Sequence, residues 1–230
     1  MTPSELRQAR CMAAIEDAVG FLDRKADARR VAAMLIQQFQ SPGAILEADL
    51  AALAPEAVGP DAAELLGFVP SLARKVWHVG GEERHPQIGS LEAASAYLLP
   101  LFIGVPIEQF FLLCLDSGGR LMRCALLQKG TLDQTPFYLG SVLQCAVTTG
   151  AHAVVLCHNH PGGTLRPSQA DVRCTLDALN ALFALGVILL DHIVVANRTP
   201  VSIRQGGFIG ADLWIQQAPE NRLNRLWLGN

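Results

Sequence analysis

The hydrophobic positions change rhythm along the chain. Up to about residue 80 they recur at helical spacing. Met12, Ile15, Val19 and Leu22 line one face over 10–22, and Val31, Met34, Leu35 and Phe39 line another over 29–39. Ser41-Pro42-Gly43 interrupts the pattern, and Ile45, Leu46, Leu50 and Leu53 predict a third short helix. A further helix is expected over 61–79, broken at Pro70. The polar stretch GGEERHPQIGS over 80–90 reads as a linker, with His78 and His85 as surface residues beside it. Ser90 fits the N-cap of a helix over 90–102.

Beyond residue 107 short apolar runs take over. FFLLCL over 110–115 predicts a buried strand, Asp116-Ser117-Gly118-Gly119 a tight turn, and 121–127 the returning strand. A helix over 137–149, a strand over 153–157, a helix over 171–185 and a strand over 187–196 follow, with a short strand at 201–204. Val172, Leu176, Leu179 and Phe183 form the expected buried face of the later helix, and Gly186 its stop. This alternation predicts an α/β fold, a mixed sheet flanked by helices. The expected organisation is a helical domain at 1–80, a linker at 81–89, a sheet domain at 90–210 and a tail at 211–230 carrying Trp214 and Trp227.

Composition narrows the class. The 230 residues are 50% hydrophobic and 17% charged, with net charge −3. That supports a globular chain and argues against nucleic acid as a partner. No apolar run reaches the ~20 residues that span a bilayer, and the first residues carry no signal-like core. The six cysteines (Cys11, Cys114, Cys124, Cys145, Cys157, Cys174) form no C-x-x-C pair. Most lie in apolar runs and read as small hydrophobes in a reducing, cytoplasmic compartment.

The chemistry concentrates in HNHPGGTLRPSQAD, 158–171. Strand parity gives His158 and His160 one side and Cys157 and Asn159 the other. Pro161 stops the strand, Gly162-Gly163 turns, and Pro167-Ser168 opens a helix that places Asp171 in its first turn. Two His and one carboxylate with a position for water match a catalytic zinc site. Each residue also has an ordinary explanation: a packed histidine, a helix cap, a dipole-facing Asp.

His158-Asn159-His160-Pro161 followed by Ser168 and Asp171 resembles the RadC family (UPF0758), a branch of the JAB/MPN (JAMM) group, over about 90–210. The resemblance implies Zn²⁺ held by His158, His160 and Asp171. It implies Glu108, in IEQFFLLCLD, as general acid/base and Ser168 as a donor to the oxyanion. The implied reaction is hydrolysis of an amide or isopeptide bond in a peptide-like substrate. Two departures stand out: Gly162 replaces the family's Ser after the Pro, and Gly140 stands nearest the family's helix-start Arg. Asp191 and His192, in mid-strand, read as structural. The N-terminal region resembles the family's helix-hairpin-helix domain, with 35–53 the better match. Only Gly59 of the phosphate-binding turn is present, and acidic residues surround it. A non-catalytic MPN-type binding module and a DNA-repair-associated factor are the competing expectations. Oligomeric state is open, a homo-oligomer included.

Overall fold

The computed structural model describes residues 9, 12–13, 15–17, 20, 27–39, 45, 60–130, 135–215 and 222–227, with backbone alone at 61–62, 79–84, 135–138, 215, 222 and 226. The chain divides into two compact units, Met1–Val76 with Ile103–Pro106, and Trp77–Phe102 with Ile107–Asn230.

In the first unit, α1 (Ala28–Phe39) buries Val31, Ala32 and Leu35. They form a core with Ile15, Ile45, Ala63 and Leu66. Ile45 is helical. The rest of the expected third helix, the Ser41-Pro42-Gly43 break, Gly59 and most of the hairpin-like 35–53 segment lie outside the described residues. Helix α2 (Pro60–Arg84) runs through Pro70 without ending. Proline there lacks the N–H that the helix would use, and the helix continues past it. It also makes 80–84 helical, so the expected linker at 81–89 is loop only after Arg84.

The second unit is built on a five-stranded sheet: β1 (Gln109–Leu115), β2 (Leu121–Lys129), β3 (Ala153–Asn159), β4 (Ile188–Ala196) and β5 (Thr199–Ser202), in the order β2-β1-β3-β4-β5. Only β3 and β4 run parallel. Their crossover is α5 (Gln169–Ala184), and α4 (Thr135–Thr149) joins β2 to β3. Asp116 Oδ1 accepts from the N–H of Gly118 and Arg120, both at 2.8 Å, and Gly119 takes φ +80°, closing the β1–β2 turn. Ser90 caps α3 (Leu91–Leu98) as expected, and a 3₁₀ turn continues it over Leu99–Phe102.

Both sheet faces are covered, which explains why the strands read as apolar runs rather than alternations. Phe110, Leu112, Val154, Leu156, Leu189 and Val194 pack under α4 and α5. Phe111, Leu113, Val155, Cys157, Leu190 and Ile193 pack under α3 and the C-terminal residues Leu223 and Trp227. Trp214, Leu223 and Trp227 of the tail are therefore part of the core. Helices α6 (Ala211–Ile215) and α7 (Arg222–Trp227) place Trp214 and Trp227 on opposite faces of the sheet, 2% and 1% exposed.

Two side-chain placements differ from expectation. The buried face of α5 is Asp171, Cys174, Thr175, Ala178, Leu179 and Leu182, while Phe183 is 55% exposed. The apolar stripe in the sequence lies one residue off, because two of the inward positions carry polar side chains. His78 is half-buried against Phe111 rather than on the surface.

Candidate metal centre

Strand β3 delivers the histidines. His158, 1% exposed, is its penultimate residue, and the His160 N–H extends the pairing by donating to the Val195 carbonyl at 2.8 Å. Pro161 then ends the ladder. The turn closes with Gly163 N–H on the His160 carbonyl (3.0 Å), at φ +80°. The Asn197 amide donates to the Gly163 carbonyl at 3.2 Å, and a Cβ at Gly163 would meet that amide at 2.9 Å. Only glycine fits there. At Gly162, by contrast, a Cβ would meet nothing within 4 Å, so the missing serine removes a hydroxyl without opening a gap in the packing. Gly140 is likewise unencumbered and exposed.

Helix α5 returns the carboxylate. Ser168 is its N-cap: Ser168 Oγ accepts from Asp171 N–H at 3.1 Å, and Asp171 Oδ2 accepts from Ser168 N–H at 2.6 Å. This reciprocal cap fixes Asp171 with Oδ1 at 3.2 Å from His158 Nε2 and Oδ2 at 3.5 Å from His160 Nε2. The two Nε2 atoms are 3.0 Å apart. Candidate ligand atoms of His158, His160 and Asp171 all lie within 4.8 Å of one another, a group that could hold a metal ion. Burial alone would raise the Asp171 pKa, but the bonds from His158, His160 and Ser168 outweigh it and hold the carboxyl well below its usual range. The His160 pKa is raised, chiefly by its bond to Asp171.

The hydrogen bonds behind the histidines decide which ring atoms carry protons. Thr175 Oγ1 lies 2.6 Å from the Asp171 carbonyl and 2.6 Å from His192 Nδ1. A carbonyl only accepts, so the single hydroxyl proton goes to it and His192 Nδ1–H donates to Oγ1. His192 is fully buried and its pKa is driven well below the usual value by that burial and by His158. It is therefore neutral, and its Nε2 accepts from His158 Nδ1–H at 2.8 Å. His160 Nδ1–H donates to the Thr164 carbonyl at 2.7 Å. With both rings neutral, the two Nε2 atoms present lone pairs to each other and to a carboxylate; the alternative occupant of that space is a proton on His160 Nε2 donated to Asp171, which the raised His160 pKa favours when no cation is bound. Such a convergence of acceptors needs positive charge at its centre, and imidazole nitrogen with carboxylate oxygen is the donor set zinc takes. Phe110 stacks on His158 at 5.7 Å and 7° between planes, walling the buried side.

Glu108 lies just before β1. In the antiparallel β1–β3 register Phe110 faces His158. Continuing that register by two residues sets Glu108 towards His160, and its charge contributes to raising the His160 pKa. Asn159 brackets it: Oδ1 accepts from Gln109 N–H at 2.7 Å, and Nδ2 donates to the Ile107 carbonyl at 3.1 Å. The expectation that Asn159 and Cys157 lie away from the histidines holds, yet Asn159 is not idle. Asn159, Thr175 and His192 are the residues the sequence reading missed. The signals available were a polar residue between the two histidines, a threonine one helical turn after Asp171, and the strand's own His192. Asp191 lies on the opposite face, accepting from Ser202 Oγ (2.5 Å), Trp227 Nε1 (3.1 Å), His192 N–H (2.7 Å) and Arg204 N–H (3.2 Å). It is structural, as expected. Beside Ser168 a cleft of about 430 Å³ is lined by Arg166, Gln169, Val172, Arg173 and Phe208 among others.

Comparison with known proteins identifies the family. The profile of the RadC-like JAB domain matches residues 88–208. A UPF0758 protein of Leptothrix cholodnii is 35% identical over 181 residues, covering 78% of this chain and 81% of the relative. A UPF0758 protein of Pseudomonas fluorescens is 34% identical over 177 residues, covering 76% and 78%. One from Idiomarina loihiensis is 35% identical over 178 residues, also covering 76% and 78%. With a family domain spanning more than half of its length and relatives matched over most of theirs, the chain belongs to the RadC (UPF0758) family of JAB-domain proteins.

Proposed function

We propose that this protein is a metal-dependent hydrolase that cleaves an amide or isopeptide bond, with Zn²⁺ held by His158, His160 and Asp171. The observation that carries the reading is the convergence of the His158 and His160 Nε2 atoms and the Asp171 carboxylate, with Glu108 just before the strand that pairs with theirs and its charge acting on His160. When bound, zinc supplies Lewis acidity that lowers the pKa of a water and polarises a carbonyl. The chain's own residues do the rest. Glu108 takes the proton from the attacking water and delivers it to the leaving nitrogen. Ser168 Oγ uses a lone pair on the helix cap and keeps its O–H free to donate to the oxyanion of the tetrahedral intermediate. Asn159 holds the backbone on both sides of Glu108 at a fixed height.

The competing reading, a binding module without catalysis, requires no proton carrier at Glu108, so that residue discriminates. Zinc per chain should be stoichiometric in the wild type and lost in His158→Ala. Glu108→Gln should keep the zinc and lower turnover of peptide and isopeptide-linked test substrates by roughly 10²–10⁴-fold. Zinc neither present nor taken up would reject the enzyme; zinc bound but turnover unchanged in Glu108→Gln would reject the assigned base. Among the described residues no helix is long and apolar enough to cross a membrane. A cytoplasmic setting suits the free thiols of Cys114, Cys124, Cys145, Cys157 and Cys174. Low charge favours a peptide-like substrate over nucleic acid.

A further inference from the structure

Two cysteines do not behave as the small hydrophobes their sequence context suggests. Cys114 on β1 and Cys145 on α4 are buried on the same face of the sheet, with their Sγ atoms 4.0 Å apart. Cys145 also lines an open cleft of about 310 Å³ between β2 and α4, together with Arg123, Ala125, Leu127, Ser141, Gln144 and Thr148. Cys145, 8% exposed, thus borders the cleft, while Cys114 is fully buried.

We propose that Cys145 and Cys114 form an oxidisable thiol pair, in which Cys145 reacts with a hydroperoxide entering the cleft and Cys114 resolves the product as a disulfide. Three features of the surroundings favour a thiolate on Cys145. A hydrogen bond donated by the Cys114 S–H lowers the Cys145 pKa, with Arg123 adding a positive field. The same pairing, and then burial, push Cys114 up, so Cys114 remains the protonated partner. Thr149 Oγ1 is buried beside both sulfurs without a normal-length hydrogen bond of its own, a hydroxyl at hand for a developing sulfur anion.

The chemistry balances without any further reagent. The Cys145 thiolate attacks one peroxide oxygen and the O–O bond breaks. Sulfur is oxidised to the sulfenic acid, and the departing hydroxide takes a proton to become water. The Cys114 sulfur then attacks the sulfenic sulfur, the S–O bond breaks, and the leaving hydroxide carries off the Cys114 proton as a second water. Two thiols and one hydroperoxide give one disulfide, with the peroxide reduced. Bond formation requires the sulfurs to close from 4.0 Å to about 2.05 Å.

The test uses the full chain and needs no variant to begin. Reduced, folded protein is treated with hydrogen peroxide, remaining thiols are blocked with N-ethylmaleimide, and each cysteine is mapped by tandem mass spectrometry. The expected first product is a Cys114–Cys145 linked peptide. Before oxidation, N-ethylmaleimide should modify Cys145 at least tenfold faster than Cys157, which is wholly buried with its thiol pushed up. In Cys114→Ala, dimedone should trap a sulfenic acid on Cys145. Arg123→Gln should slow the Cys145 reaction several-fold while leaving the fold, followed by circular dichroism, intact. Equal labelling rates for Cys145 and Cys157, or oxidation that leaves the pair unlinked while other cysteines react, would overturn the proposal.

Discussion

Strand β4 carries two buried polar side chains in succession, and they serve opposite ends. His192 faces α5 and passes a fixed hydrogen-bond pattern to His158, ending in lone pairs that converge beside half-buried His160. Asp191 faces the C-terminal residues and closes on itself: each carboxylate oxygen accepts two donors. Burial raises its pKa and those donors act against the rise. One cluster leaves acceptors unspent where solvent and a cation can reach them; the other spends them all in holding β5, the following turn and α7 to the sheet. Buried polarity alone does not mark a functional site. What distinguishes one is unspent bonding capacity at an accessible edge.

The sharpest way to break the comparison is Asp191→Ala. It strips four buried donors of their acceptor and should cost about 3–5 kcal/mol in urea unfolding, while whatever folds retains zinc binding. Loss of zinc at unchanged stability would show that the two clusters are not separate. On the other side, His192→Gln should weaken zinc binding about 10–100-fold, measured by chelator competition, because His158 loses the acceptor that fixes its tautomer. Thr175→Val should act in the same direction with a smaller effect. Asn159→Ala should leave zinc affinity unchanged and lower turnover, since it frees the backbone around Glu108 rather than a ligand. Gly163→Ala should cost about 1–2 kcal/mol for the left-handed backbone, read as a lower melting temperature.

The smallest effect is a pH slope. The folded pKa of His192 is depressed below its ordinary 6.5. Below pH 6.5 the unfolded chain takes up a proton that folded His192 refuses, so stability falls as pH falls through that value, by at most about 1.4 kcal/mol per pH unit. His160 works the other way: its raised pKa contributes stability that is complete below 6.5 and lost as pH rises through the folded value. Metal-free His192→Gln should therefore lose less stability than the wild type between pH 6.5 and 5. Parallel pH–melting curves for the two proteins would contradict a neutral, buried His192.

Particular residues show where sequence reading succeeds. His158 and His160 follow from strand parity, Asp171 from the helix entrance at Ser168, and Gly163 from the need for a turn after Pro161. These are local periodicities, written in consecutive residues. Reading failed where a long-range partner set the outcome. The face of α5 was misplaced because Asp171 and Thr175 are polar yet inward, turned there by His158 and His192 from distant strands. Pro70 was read as a break, although one missing hydrogen bond is tolerable inside a long helix. The sequence leaves the role of the tail open because its tryptophans have no periodic neighbours to announce burial.

The arrangement of β4 separates the two kinds of information. The sequence by itself determined that VILLDHIVVA is a buried strand and that HNHP followed by Ser168 and Asp171 can assemble a metal-binding group. Tertiary structure decided which way Asp191 and His192 face. Opposite β4, Val154 pairs with Leu189 and Val155 with Asp191, leaving Leu190 as an extra residue in the ladder. That bulge shifts the alternation by one, sends His192 towards His158 and Asp191 towards Trp227, and leaves the Leu190 carbonyl to accept from Arg204 Nη1 at 2.8 Å. A run of apolar residues carries no period from which to read such a shift. It is fixed by pairing with β3 and by an arginine fourteen positions away, and those exist only in the folded molecule.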